Sequence, residues 1–149
     1  MLAWYFAAMH TQTDAFQKRN RKGYLIAIGD ESTLDNLPKR AIAEIMGPGQ
    51  HEDYASHRLV EMASEVYNVF HLNIAVTPSG GRESVQSGWK QMLADNFVNV
   101  QFSHQVAEVI ADLVVKGEAK HQHRVPVASN ETGLAEYDIE EDAEEEVIL

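Results

Sequence analysis

The sequence predicts an α/β fold, a small parallel sheet of about three strands with helices on both faces. Three observations predict it. "YLIAI", Tyr24 to Ile28, is a continuous apolar run bounded by Gly23 and Gly29, too short for a helix and typical of a strand buried on both faces. "VFHLNIAV", Val69 to Val76, and "FVNVQF", Phe97 to Phe102, read as two further strands. Helix-periodic segments separate all three, and such alternation is the pattern of a parallel sheet.

The elements follow in order. Leu2, Tyr5, Phe6, Met9 and Phe16 recur at helical spacing and predict a first helix over about 2–20. Lys18, Arg19, Arg21 and Lys22 suit its C-terminal end, where cations meet the negative end of the dipole, and Gly23 is the expected cap. After the first strand comes the polar loop "ESTLDN". Pro38 then opens a short helix with Ile42, Ile45 and Met46 as its apolar face, and "GPGQ" ends it. A helix over about 54–67 turns Leu59, Met62, Ala63, Val66 and Tyr67 inward. Beyond the second strand, the turn-rich "TPSGGRES" leads through Ser84, an N-cap residue type, into a helix facing inward with Val85, Trp89, Met92 and Leu93. Ser103 opens the last helix, with Val106, Val109, Ile110, Leu113 and Val114 inward.

Residues 1–117 therefore form the α/β unit, and 118–149 a polar, then acidic, tail expected to be disordered. The net charge of −11 resides mainly in that tail: from Glu131 onward there are nine acidic residues and no Lys or Arg. The body carries fourteen acids against twelve bases, so it offers no basic surface for nucleic acid. The final "VIL" leaves an apolar carboxyl end of the kind a partner groove captures. With no cysteine, disulfides, thiolate metal sites and a Cys nucleophile are excluded, which suits a cytoplasmic protein. "MLAWYFAAM" lacks the charged start of a signal peptide and the length of a membrane span, so no membrane partner is expected.

The main candidate site is Asp30, at the carboxyl end of the first strand, where open α/β sheets bind ligands. Glu31, Ser32 and Thr33 add oxygens beside it, and hard cations such as Mg²⁺ favour oxygen donors. The competing reading is a turn in which Asp30 and Ser32 bond to the local backbone. "TPSGGR" contributes Thr77 and Ser79 as weaker binding candidates before a helix start, but matches neither phosphate-loop nor dinucleotide spacing and reads first as a flexible surface loop. The histidines, His51 with His57 and His121 with His123, lack zinc-protease spacing; the second pair, on an extended segment, would point one way and bind a metal weakly at most, and His71 reads as a hydrogen-bonded core or interface residue, all of them structural or incidental. There is no G-x-S-x-G elbow, and Ser79 is the one serine in a sharp-turn context.

The stretch "LAWYFAAMHTQTDAFQKRNRKGYLIAIGDE", a helix leading through "KGY" into a strand ending in Gly-Asp-Glu, resembles the middle of a von Willebrand factor A (VWA)-like domain of bacterial and phage type. The likeness continues through "VYNVFHLNIAV", the Trp89 helix, "NFVNV" and "SHQVAEVIADLV", over about residues 2–116. It implies a Rossmann-like sheet and a metal-ion-dependent adhesion site (MIDAS). In that family the site combines a D-x-S-x-S loop, a Thr from a later loop and an Asp after the fourth strand. Asp30 matches that Asp. The D-x-S-x-S motif is absent here, and the resemblance places its counterpart before Met1, so the chain corresponds to a C-terminal half-domain.

From this follow a non-enzymatic protein-interaction module, a remnant or shared Mg²⁺ site that is weak in the isolated chain, and an exposed sheet edge. That edge would be covered by a separately encoded N-terminal half, a larger precursor or a second copy of the chain. Two other readings stand beside it. One is a metal-dependent hydrolase or phosphoryl-transfer enzyme, with Asp30 as ligand or nucleophile, Glu31 as base and "TPSGGR" holding an anion. The other is a metal-free structural piece of a larger assembly.

Overall fold

A computed structural model describes residues 1–122, and side chains as far as Ala119. The acidic tail and His123 lie outside these positions, and of His121 the helical backbone alone is described. The elements run α1 (Leu2–His10), α2 (Asp14–Arg19), β1 (Gly23–Gly29), β2 (Asn36–Leu37), α3 (Lys39–Met46), β3 (Tyr54–Ala55), α4 (Ser56–Val66), β4 (Tyr67–Ile74), α5 (Glu83–Leu93), β5 (Phe97–Val100) and α6 (Val106–Gln122). Strands β1, β4 and β5 form a parallel sheet in the order β1-β4-β5. With helices on both faces, this is a small Rossmann-like α/β arrangement.

The pairing Gly23↔Tyr67 through Gly29↔Asn73 fixes which side chains share a face. Leu25, Ala27, Tyr67, Val69, His71 and Phe97 point to one side, where Trp4 and Tyr5 of α1, Leu59 and Ala63 of α4, and Val85, Trp89 and Leu93 of α5 close the main core. Tyr24, Ile26, Ile28, Phe70, Leu72 and Val100 point to the other. Helix α6 covers that side with half-buried Val109, Ile110, Leu113 and Val114. It meets β1 where the Tyr24 hydroxyl donates to the Val114 carbonyl at 3.3 Å and Arg21 pairs with Glu118.

Several expectations are corrected. The first helix is two. Thr11 bonds back to the Ala7 carbonyl and to the Tyr67 hydroxyl, and Thr13 caps α2 by accepting from the Phe16 amide at 3.3 Å. Local side-chain bonds of this kind compete with helix continuation. Asn20, not Gly23, is the C-terminal cap. It lies in the left-handed region at φ 50°, while Arg21 N–H reaches the Ala15 carbonyl at 2.9 Å. Helix α1 buries Trp4, Tyr5 and Ala7 and leaves Phe6 and Met9 exposed. In α3 only Ile42 is buried, and Ile45 and Met46 face outward. Tyr67 begins β4, and α5 starts at Glu83, one residue before the expected Ser84 cap. The last helix is preceded by a 3₁₀ turn, Ser103–Gln105, and runs to Gln122.

The most consequential correction concerns β1. It is half-buried along its length instead of buried on both faces, and Ile28 is 51% exposed. The reason is position: β1 pairs with β4 alone among the described residues, so it is an edge strand. The loop that leaves it is pinned by a two-residue antiparallel ladder, Asn36↔Ala55 and Leu37↔Tyr54, and by Ser56, whose amide bonds the Asp35 carbonyl at 3.0 Å. Asp53 then accepts the Lys39 amide at 2.7 Å, capping α3 from across the loop.

Candidate functional site

Because β1 and β4 are parallel and end together at Gly29↔Asn73, the loops that follow them emerge at one edge of the sheet. Asp30 is half-buried immediately after β1. Glu31 and Ser32 are exposed, and Thr33 is half-buried. This segment is held by its backbone: the Trp89 indole N–H donates to the Glu31 carbonyl at 2.8 Å. Beside that bond, Thr33 packs against α5 at Gly88, where a Cβ would lie 3.0 Å from Thr33 Oγ1. The carboxylates of Asp30 and Glu31 are thus fixed at their root and make no ion pair among the described residues.

The turn after β4 is a hydrogen-bonded structure where a flexible loop was expected. Thr77 Oγ1 donates to the Ile74 carbonyl at 3.1 Å and accepts the Gly80 amide at 3.0 Å, so its oxygen is used within the turn. The Ser79 carbonyl accepts the Arg82 amide at 3.0 Å. Gly80 is demanded by space: a Cβ there would sit 2.2 Å from the Ile74 carbonyl oxygen. Glu83 occupies the first turn of α5, placing a carboxylate where an anion would have to dock.

Two groups escaped the sequence reading, and so did the surroundings of a third, His71. Asn73 donates to the Gly80 carbonyl and to Asn99 Oδ1, both at 2.8 Å; Asn99 donates to Gln86 Oε1 at 3.0 Å; Gln86 donates to the same Gly80 carbonyl at 2.9 Å. This closed amide ring ties β4, β5, α5 and the turn together. It was signalled only by two asparagines interrupting apolar strands. An open groove of about 580 Å³ runs beside it between α5 and β5, lined by Gln86, Ser87, Lys90, Phe97 and Asn99. None of Asp30, Glu31, Ser32, Thr33, Thr77 or Ser79 lines it.

The third group is His71. It is a core residue as expected, 4% exposed, but neither ring nitrogen has a hydrogen-bond partner among the described residues. Its ring lies against Trp89, and burial lowers its pKa to about 4.

No group of three or more His, Asp or Glu converges on a metal position among the described residues. At the end of β1 the chain offers one half-buried carboxylate with an exposed carboxylate and hydroxyl nearby. An octahedral Mg²⁺ enlists further carboxylates or phosphates, so these donors do not by themselves fit the ion. No described helix is long and apolar enough to cross a membrane. Compared with known proteins, the chain matches no family model, no curated protein and no solved structure.

Proposed function

We propose that the chain is a protein-association module, a VWA-like half-domain that works through the outer edge of β1 and the carboxylate loop that follows it. One observation carries this reading. The ladder from Gly23 to Gly29 is regular, paired on one side, and bare on the other among the described residues. Unpaired N–H and C=O groups on such an edge template another strand, and proteins that must stay apart blunt their edges with charge, proline, a bulge or shortness. Strand β1 has none of the first three within Gly23–Gly29 and runs seven residues. The opposite edge, β5, is four residues long and carries the polar Asn99. Exposed Ile28 adds apolar surface to the β1 edge.

A photoreactive residue in place of Ile28 tests the reading, with the same residue in place of exposed Gln91 on α5 as control. Discrete adducts with a polypeptide from position 28, and none from position 91, are expected in cells expressing the chain. Position 28 yielding unmodified monomer alone would contradict it. Turnover of a phosphoester substrate that needs Mg²⁺ and is lost in Asp30→Ala would instead favour the hydrolase reading.

A further inference from the structure

Residues 22–30 are self-complementary about their midpoint. In Lys22-Gly23-Tyr24-Leu25-Ile26-Ala27-Ile28-Gly29-Asp30, taking Ile26 as the centre sets Leu25 against Ala27, Tyr24 against Ile28, glycine against glycine, and lysine against aspartate. A two-fold axis through an antiparallel strand pair matches each residue with the one equally far beyond the axis. We propose that the occupant of the β1 edge is a second copy of this chain, its β1 paired antiparallel about an axis through Ile26. The result is one continuous sheet in the order β5-β4-β1-β1-β4-β5. This rests on the association reading above and names the partner.

Charge selects the arrangement. Lys22 of each copy lies across from Asp30 of the other. Parallel pairing would oppose lysine to lysine and aspartate to aspartate, and a shifted antiparallel register separates the charges. Both groups are available: neither Lys22 nor Asp30 has an ion-pair partner among the described residues, and Lys22 donates only to the Ser64 carbonyl. Tyr24 and Ile28 share the α6 face, so the axis brings the exposed Ile28 of one copy beside the Tyr24 ring of the other. Aromatic against β-branched is a favourable cross-strand pair. The cation beside Asp30 in this dimer is an ammonium, which needs none of the extra ligands a metal would.

Light scattering on the purified full chain is expected to give twice the chain mass as concentration rises. The chain has no native cysteine, so Ile26→Cys places a single thiol on the axis. There Cα atoms of opposed residues lie roughly 4.5–5.5 Å apart, within disulfide range. Mild oxidation should link Ile26→Cys into a covalent dimer and leave Ile28→Cys unlinked. Asp30→Lys should weaken dimerisation roughly tenfold, since two pairs, each of an exposed lysine with a half-buried aspartate, turn repulsive, and adding Lys22→Asp should restore it.

A monomer at every concentration would overturn the proposal, as would a dimer linked through Ile28→Cys but not Ile26→Cys. A monomeric purified chain that still forms position-28 adducts with a different polypeptide would sink the second-copy proposal and leave the association reading standing. The absence of any adduct would sink both.

Discussion

The imidazole of His71 lies face to face with the indole of Trp89, ring centroids 3.8 Å apart and planes 13° from parallel. The same indole donates to the Glu31 carbonyl at 2.8 Å. One α5 side chain therefore joins the central strand to the loop that carries Asp30, so the candidate loop depends on the core beneath it.

Acid should destabilise the fold through His71. Its pKa is about 4 in the folded chain against 6.5 for an ordinary histidine. Above pH 6.5 the ring is neutral in both states and its contribution is complete. As pH falls from there towards 4, the unfolded chain takes up a proton that the folded chain refuses, and stability is lost. The full loss is about 3 kcal/mol. Urea unfolding at a series of pH values checks this, with His71→Phe expected to flatten that segment of the profile.

Trp89→Phe should keep most of the stack and remove the bond to Glu31. The expected cost is about 1–3 kcal/mol, from the loss of a partly buried hydrogen bond and a smaller ring in the core. Faster amide exchange confined to residues 30–34 would accompany it. An unchanged loop would show that the bond is incidental.

Gly80→Ala should be among the more damaging single-methyl additions in the chain. The new Cβ would meet the Ile74 carbonyl oxygen at 2.2 Å and Asn73 Oδ1 at 3.1 Å, so the turn must move and the Asn73–Asn99–Gln86 ring with it. Overpacking of this kind costs about 1–3 kcal/mol. Thermal unfolding measures it directly, and a neutral Gly80→Ala would mean the turn has room to relax.

Magnesium should bind the chain weakly. Asp30 brings one carboxylate, and no further cluster of His, Asp or Glu joins it among the described residues. Titration calorimetry is expected to show no micromolar site. Micromolar binding abolished by Asp30→Ala would contradict this.

The alternation of strands and helices was legible because each strand core, such as Val69 to Ile74, is too short and too apolar to be anything else. The inward face of α5 was legible for the opposite reason: Val85, Trp89 and Leu93 stand out among Gln, Ser and Lys. Helix α1 offered no such contrast. It is apolar on every side, so periodicity had no means of preferring Trp4 and Ala7 over Phe6 and Met9. The break after His10 depended on Thr11 finding Tyr67, a contact 56 residues away in the chain. The two-residue strands β2 and β3 are too short for any pattern.

For β1, composition described the strand but not its neighbours. An apolar run looks the same whether two strands flank it or one, and among the described residues β1 has one, with Ile28 exposed. Asp30 was correctly placed at the strand end. The His71–Trp89 stack and the amide ring were hidden because both are made between elements, by residues that look ordinary along the chain.

The most direct measurement is residue-resolved amide exchange along Tyr24–Ile28 of the purified full chain, from dilute to concentrated solution. In a strand, successive amides point to opposite edges, so half of them face β4 and half face outward. The outward amides should exchange rapidly in dilute solution and become protected as concentration rises, while those facing β4 stay protected throughout. Outward amides that remain fast at every concentration, or that are already protected in the dilute monomer, would show that a second copy does not occupy this edge.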